Sequence, residues 1–262
     1  MKNKSIEAKP FPKQPTLTGK IIRYVSVVHF LDLLQTESFY MSSFTHFKDK
    51  FEGASFKNLK DGRIDGENAK DSKDSMEITD RKKVLFASCW YIGNDTISMW
   101  DNYGKSSSEY IAIQFELKDI IKELEKGNFR LEGKDEMRDA EEDNPGEFKP
   151  SSFFYGSINY IDKFDKKKDF LGRFKHCYFK HEKEFRFLVR RWLPSGYKKE
   201  NPEITELNGV KLRFDNFKGL GLKVIISPYA NSTMIEIVNS ALQCKEYKQV
   251  ANPSEFSIFL SE

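Results

Sequence analysis

Two glutamates, Glu182 and Glu184, precede Arg186 in the run HEKEFRFLV. Alternate side chains of a strand point the same way. The spacing therefore places Glu182, Glu184 and Arg186 on one face, and Phe185, Phe187 and Val189 on the other. Neighbouring carboxylates repel, which raises the pKa of one of them. Such a pair suits acid–base work or stabilisation of a developing cation in a semi-enclosed site. The competing reading is a solvated strand face whose carboxylates pair with Arg186 and Lys183. The spacing alone leaves both readings open.

A second concentration of chemistry lies in VLFASCWYIGNDTISMWDNYG, residues 84–104, which hold two of the three tryptophans. Ser88 and Cys89 end a strand at Trp90, and Trp100 and Tyr103 follow at helical spacing. Cys89 beside Trp90 is of nucleophile type, but free cysteine is among the most buried residue types, so a structural thiol is the stronger expectation. Trp100 and Tyr103 read first as core and second as a stacking platform for bases. Asp49 and Glu52, together with Glu182 and Glu184, are of the right type to gather Mg²⁺ for a nuclease. Against that reading, Arg186 stands where a lysine is expected two residues after the strand acid. His176, Cys177 and His181 match no ligand spacing, so no metal is expected. No P-loop, G-x-G-x-x-G, G-x-S-x-G or H-E-x-x-H pattern occurs.

Among the supporting elements, 21–27 reads as a strand, with Ser26 capping a helix over 28–35 that turns Phe30, Leu31 and Leu34 inward. Short strands follow at 39–42, 84–90, 110–115, 153–161, 182–189, 210–214 and 222–226. Helices are expected over 117–126, over 166–179 from the spacing of Phe170, Leu171, Phe174 and Tyr178, and over 232–243. A last strand at 256–260 would close a sheet edge. Residues 1–19 are rich in proline and lysine and read as a flexible arm. The charge-dense stretches near 58–80 and 127–150 read as insertions, because they offer little apolar surface to offset their ordering entropy. Strands come in runs rather than alternating with helices. The expected fold class is therefore α+β, a single domain over 20–262 with a mixed, mostly antiparallel sheet flanked by short helices.

Composition narrows the function classes. The chain has 262 residues with 43 basic and 40 acidic side chains, a formal charge of +3. That balance argues against a protein that coats nucleic acid generally, and leaves room only for a local basic patch. The three cysteines, Cys89, Cys177 and Cys244, are scattered, which argues against a disulfide framework. No secretory leader or membrane span is evident, so a cytoplasmic protein without a membrane partner is expected.

On the runs IIRYVSVVHFLDLLQTESFYMSS, FKDKFEG, FASCW…SMWDNYG, INYID, FKHEKEFR and VIISPYA, the chain resembles the bacterial DUF2971 family from about Ile22 to the C-terminal helix. The family shows Asn-Asp-Pro-Phe-Glu where this chain has Lys48-Asp49-Lys50-Phe51-Glu52, and its name carries no activity. The order of Arg23 on the first strand, Ser88 on a central strand and Glu182-x-Glu184 on a late strand also looks like the Arg–Ser–Glu-x-Glu layout of ADP-ribosyltransferases. That likeness implies NAD as substrate. Arg23 would hold its phosphates, Ser88 would order the site, and Glu184, assisted by Glu182, would stabilise the oxocarbenium ion. Tyr24, Trp100 and Tyr103 would stack on nicotinamide or adenine. The implied setting is bacterial toxin action or phage defence. The alternative is a non-catalytic or nucleic-acid-binding component in which Glu182, Glu184 and Arg186 form a structural ion network.

Overall fold

The structure, a computed structural model, describes residues 6–14, 17–47, 59–60, 63–64, 82–104, 107–133, 150–162, 172–191, 207–247 and 251–254. Asp49, Glu52, most of the two charged insertions and the expected strand at 256–260 lie outside the described residues. The fold class is α+β, with a mixed, mostly antiparallel sheet and short helices.

In chain order the strands are β1 (Ala8–Pro10), β2 (Lys20–Ser26), β3 (Ser38–Ser43), β4 (Leu59–Lys60), β5 (Arg63–Ile64), β6 (Leu85–Ile92), β7 (Tyr110–Glu116) and β8 (Phe129–Glu132). They continue with β9 (Pro150–Ser157), β10 (Asn159–Ile161), β11 (Phe174–His176), β12 (Glu184–Arg191), β13 (Gly209–Phe214), β14 (Lys223–Ile226) and β15 (Asn252–Pro253). Helices among the described residues include α1 (Val27–Thr36), α2 (Ile97–Tyr103), α3 (Leu117–Glu125) and α4 (Ser232–Cys244). None of the described helices is long and apolar enough to cross a membrane.

The chain groups into two compact units. The first comprises Met1–Gln14, Tyr40–Ser88 and Leu131–Lys211, and the second Pro15–Phe39, Cys89–Arg130 and Leu212–Glu262. In the first unit β12 lies antiparallel to β9, and β1 lies parallel to the other edge of β9. Phe153 and Tyr155 of β9 are buried, as are Phe185, Phe187 and Val189 of β12. β10 and β11 form a separate parallel pair, with Asn159 opposite Phe174 and Ile161 opposite His176.

In the second unit β2 and β14 flank β7, both antiparallel to it, and β15 lies parallel to β14. Phe39 centres an aromatic cluster there. Its ring lies 4.8 Å from Trp90 and 5.2 Å from both Phe115 and Phe214, with the planes tilted or edge-on, as aromatic quadrupoles prefer. The helix starts follow from side-chain chemistry. Ser26, Thr96 and Asn231 cap α1, α2 and α4 by accepting the amides of His29, Met99 and Met234. α1 buries Leu33 rather than the expected Leu31, alongside Phe30 and Leu34.

Two expectations are corrected. The stretch read as a helix over 166–179 carries β11 and then a 3-10 turn, Cys177–Glu182, within its described part. Its backbone is claimed by a distant partner, since Asn159 donates to the Arg173 carbonyl at 3.0 Å. Part of the supposed arm is also ordered: Ala8–Pro10 pairs with β9, and Phe11 is buried. Docking on another strand supplies the burial that the segment's own composition lacks.

Candidate functional site

The glutamates meet by a route different from the expected one. Glu182 ends the 3-10 turn, Lys183 takes the left-handed conformation at φ 39°, and only Glu184 starts β12. The turn brings both carboxylates to Lys175 on β11. Its Nζ lies 2.5 Å from Glu182 Oε2 and 3.3 Å from Glu184 Oε2. Arg186 approaches Glu184 from the other side, donating Nε to Oε1 and Nη2 to Oε2, the latter at 2.9 Å. Its Nη1 donates to the Gly172 carbonyl at 3.1 Å. The guanidinium also lies 5.6 Å from the ring centre of Phe44 and 5.5 Å from that of Phe47, and Lys175 Nζ lies 4.6 Å from that of Phe179.

This is a buried group of two cations and two carboxylates in the first unit. Lys175, Glu182, Glu184 and Arg186 are 8%, 9%, 6% and 0% exposed. Burying four charges is costly, and apolar residues of similar volume are often at least as stable. Such a group is therefore weak as a stabilising device. Tyr160 borders the group: the Glu184 amide donates to its hydroxyl at 2.8 Å. Burial, seconded by the Glu184 and Glu182 charges, pushes the Tyr160 phenol up to about 12.

Ser88, also of the first unit, is fully buried on β6. Arg23, Tyr24, Trp100 and Tyr103 belong to the second unit. Arg23 is half-buried on β2, with its guanidinium 5.9 Å from the ring centre of Trp90. Trp90 itself is core, and Cys89 before it is half-buried. Trp100 is fully buried. The Tyr24 ring meets it edge-on at 4.8 Å and 84°, and its Nε1 donates to Asp95 at 3.4 Å. In this arrangement its faces serve packing, whereas Tyr103, 42% exposed, has surface to offer a ring. The Tyr24 hydroxyl accepts the Thr96 amide, and burial raises its pKa.

Lys175 and Asp95 take roles that sequence reasoning missed. Lys175 fell within the expected helix, and the only signal was its place between Phe174 and His176, compatible with a short strand. Asp95 stands in the run Asn94-Asp95-Thr96 ahead of α2, where each residue is of the type that caps a helix. It is instead a buried acid that accepts from Trp100 and, at 2.7 Å, from Ser254, tying α2 to the end of β15. His176 accepts the Tyr178 amide and His181 donates to the Tyr178 carbonyl, so both close the 3-10 turn. Cys177 has its thiol pKa raised, chiefly by a hydrogen bond with Asp162. Among the described residues no three His, Cys, Asp or Glu side chains gather in a way that could hold a metal.

No family model matches the chain, and neither the curated proteins nor the solved structures contain a match.

Proposed function

We propose that the buried Glu182–Lys175–Glu184–Arg186 group is the reaction centre of an NAD-consuming, ADP-ribosyltransferase-like enzyme. The observation that carries this reading is the convergence of two buried carboxylates on one buried ammonium. In the proposed reaction the bond between nicotinamide and the ribose C1′ breaks, its electron pair leaves with nicotinamide, and the ribose becomes an oxocarbenium ion. An acceptor nucleophile then bonds to C1′ and loses its proton. Glu184 is the group suited to face that cation. The Arg186 fork holds its orientation, and a fixed carboxylate needs no reorganisation as charge develops. Lys175 and Glu182 set its surroundings. The centre proposed here is confined to residues of the first unit.

One observation favours a second reading. Arg186 engages both oxygens of Glu184, as a purely structural ion network would. Calorimetric titration with NAD and turnover of Glu184→Gln separate the two. The transferase reading expects binding heat at millimolar NAD or below, and nicotinamide release that Glu184→Gln reduces at least about a hundredfold with native circular dichroism. A folded wild-type sample that gives no heat overturns it. If Glu184→Gln changes the melting temperature alone, the structural network stands.

A further inference from the structure

Segment Ala8–Gln14 is held on β9 mainly through contacts that read backbone. β1 runs parallel to β9, with Ala8 opposite Phe153 and Pro10 opposite Tyr155. The Phe11 amide donates to the Tyr155 carbonyl at 2.8 Å. Gln14 then acts as a clip: its side-chain oxygen accepts the Ser157 amide at 2.8 Å and its Nε2 donates to the Ser157 carbonyl at 3.3 Å. Arg173 donates to the Pro12 carbonyl.

One side chain fills a built seat. Phe11 is 1% exposed, its ring stacks on Phe154 at 6.4 Å, and the Arg173 guanidinium lies 5.8 Å from its centre. The seat exists because residue 156 is glycine. A Cβ there would come within 2.7 Å of Phe11 Cδ2 and 3.0 Å of the Gln14 amide, and φ at this position is +154°. The surface is thus shaped to a peptide that runs as a strand to Pro10, seats Phe11, turns through Pro12 and a left-handed Lys13 at φ 60°, and closes on Gln14.

We propose that the β9 edge is a docking site for a peptide of the form Phe-x-x-Gln, a short strand followed by a turn, occupied here by the chain's own residues 8–14 and able to take such a peptide in trans. The occupant contributes a three-residue strand ending in Pro10, followed by Pro12, so it has few amide donors of its own. Seven residues must be ordered for one anchoring ring and a handful of hydrogen bonds, which makes the docking reversible. A recognition surface that uses main-chain pairing for affinity and one pocket for specificity is the pattern of strand addition.

The test inserts a protease site between Gln14 and Leu17 of the full chain and cuts it after folding. A fluorescein-labelled peptide of residues 6–14 is then offered at increasing concentration. Exchange of the nicked segment for the labelled peptide, with a Phe11→Ala peptide at least about tenfold weaker, supports the site. Retention of the segment by a folded chain that takes up no labelled peptide overturns it, as does binding indifferent to Phe11. Hydrogen exchange on the uncut chain gives an independent reading. The amides of Phe11 and Ser157 should exchange together and faster than those shared by β9 and β12. Exchange of all of them at one common rate would make the segment an integral strand and end the proposal.

Discussion

Lys175 holds two carboxylates that would otherwise face each other, so its removal tests whether the buried charges act as one unit. In Lys175→Met the Arg186 fork still serves Glu184, but Glu182 loses the cation 2.5 Å away. Removing one partner of a buried ion pair costs about 3 kcal/mol, and urea denaturation should show a loss of that order at pH 7. A loss under about 1 kcal/mol would mean that each glutamate is satisfied separately. Tyr160 supplies a pH handle on the same group. Its folded pKa of about 12 lies above the ordinary phenol value of 10.0. The folded state therefore prefers the protonated phenol. Its contribution is fully present below pH 10 and is lost as pH rises through about 12. Stability measured between those limits should fall more steeply in wild type than in Tyr160→Phe. Equal slopes would remove Tyr160 from the account.

At the scale of elements, the opening β2–α1–β3 stretch was readable because its signals are local. The Ser26 cap and a helical apolar stripe lie within a few residues of what they determine, and Glu37 closes α1 in the left-handed conformation at φ 51°. Ser26→Ala should accordingly lower stability by about 1 kcal/mol in thermal unfolding, whereas Ser26→Gly should cost only a few tenths. An unchanged midpoint for the alanine variant would show that the cap is not limiting. The failures share one cause, which is that distant partners decided the structure. Phe170, Leu171, Phe174 and Tyr178 have helical spacing, yet residues 174–176 pair with β10, a partner that the apolar spacing within 166–179 does not report. Ala8–Gln14 looked unable to bury anything, and its clip closes on a residue 143 positions away. The glutamate spacing pointed to a shared strand face. The carboxylates do meet, but through a turn and a lysine from another strand, so residue types were readable while the geometry joining them was not.

For the molecule as a whole, 43 basic and 40 acidic side chains leave a formal charge of +3 on 262 residues. Duplex DNA is held without regard to sequence by neutralising phosphates and releasing their counterions. Affinity then falls with salt in proportion to the number of contacts. A nearly balanced surface can supply those contacts only where lysines and arginines collect locally. Generic duplex should therefore bind more weakly than about 10⁻⁴ M at about 0.15 M salt, as read by anisotropy of a short labelled duplex. Weak binding with a shallow salt slope is what an enzyme acting on a dinucleotide would show, because one pyrophosphate needs one fixed cation rather than a basic stripe. Micromolar binding with a steep slope would require a concentrated patch that the overall charge conceals. The Glu184→Gln experiment would then be read against nucleic-acid binding rather than NAD turnover.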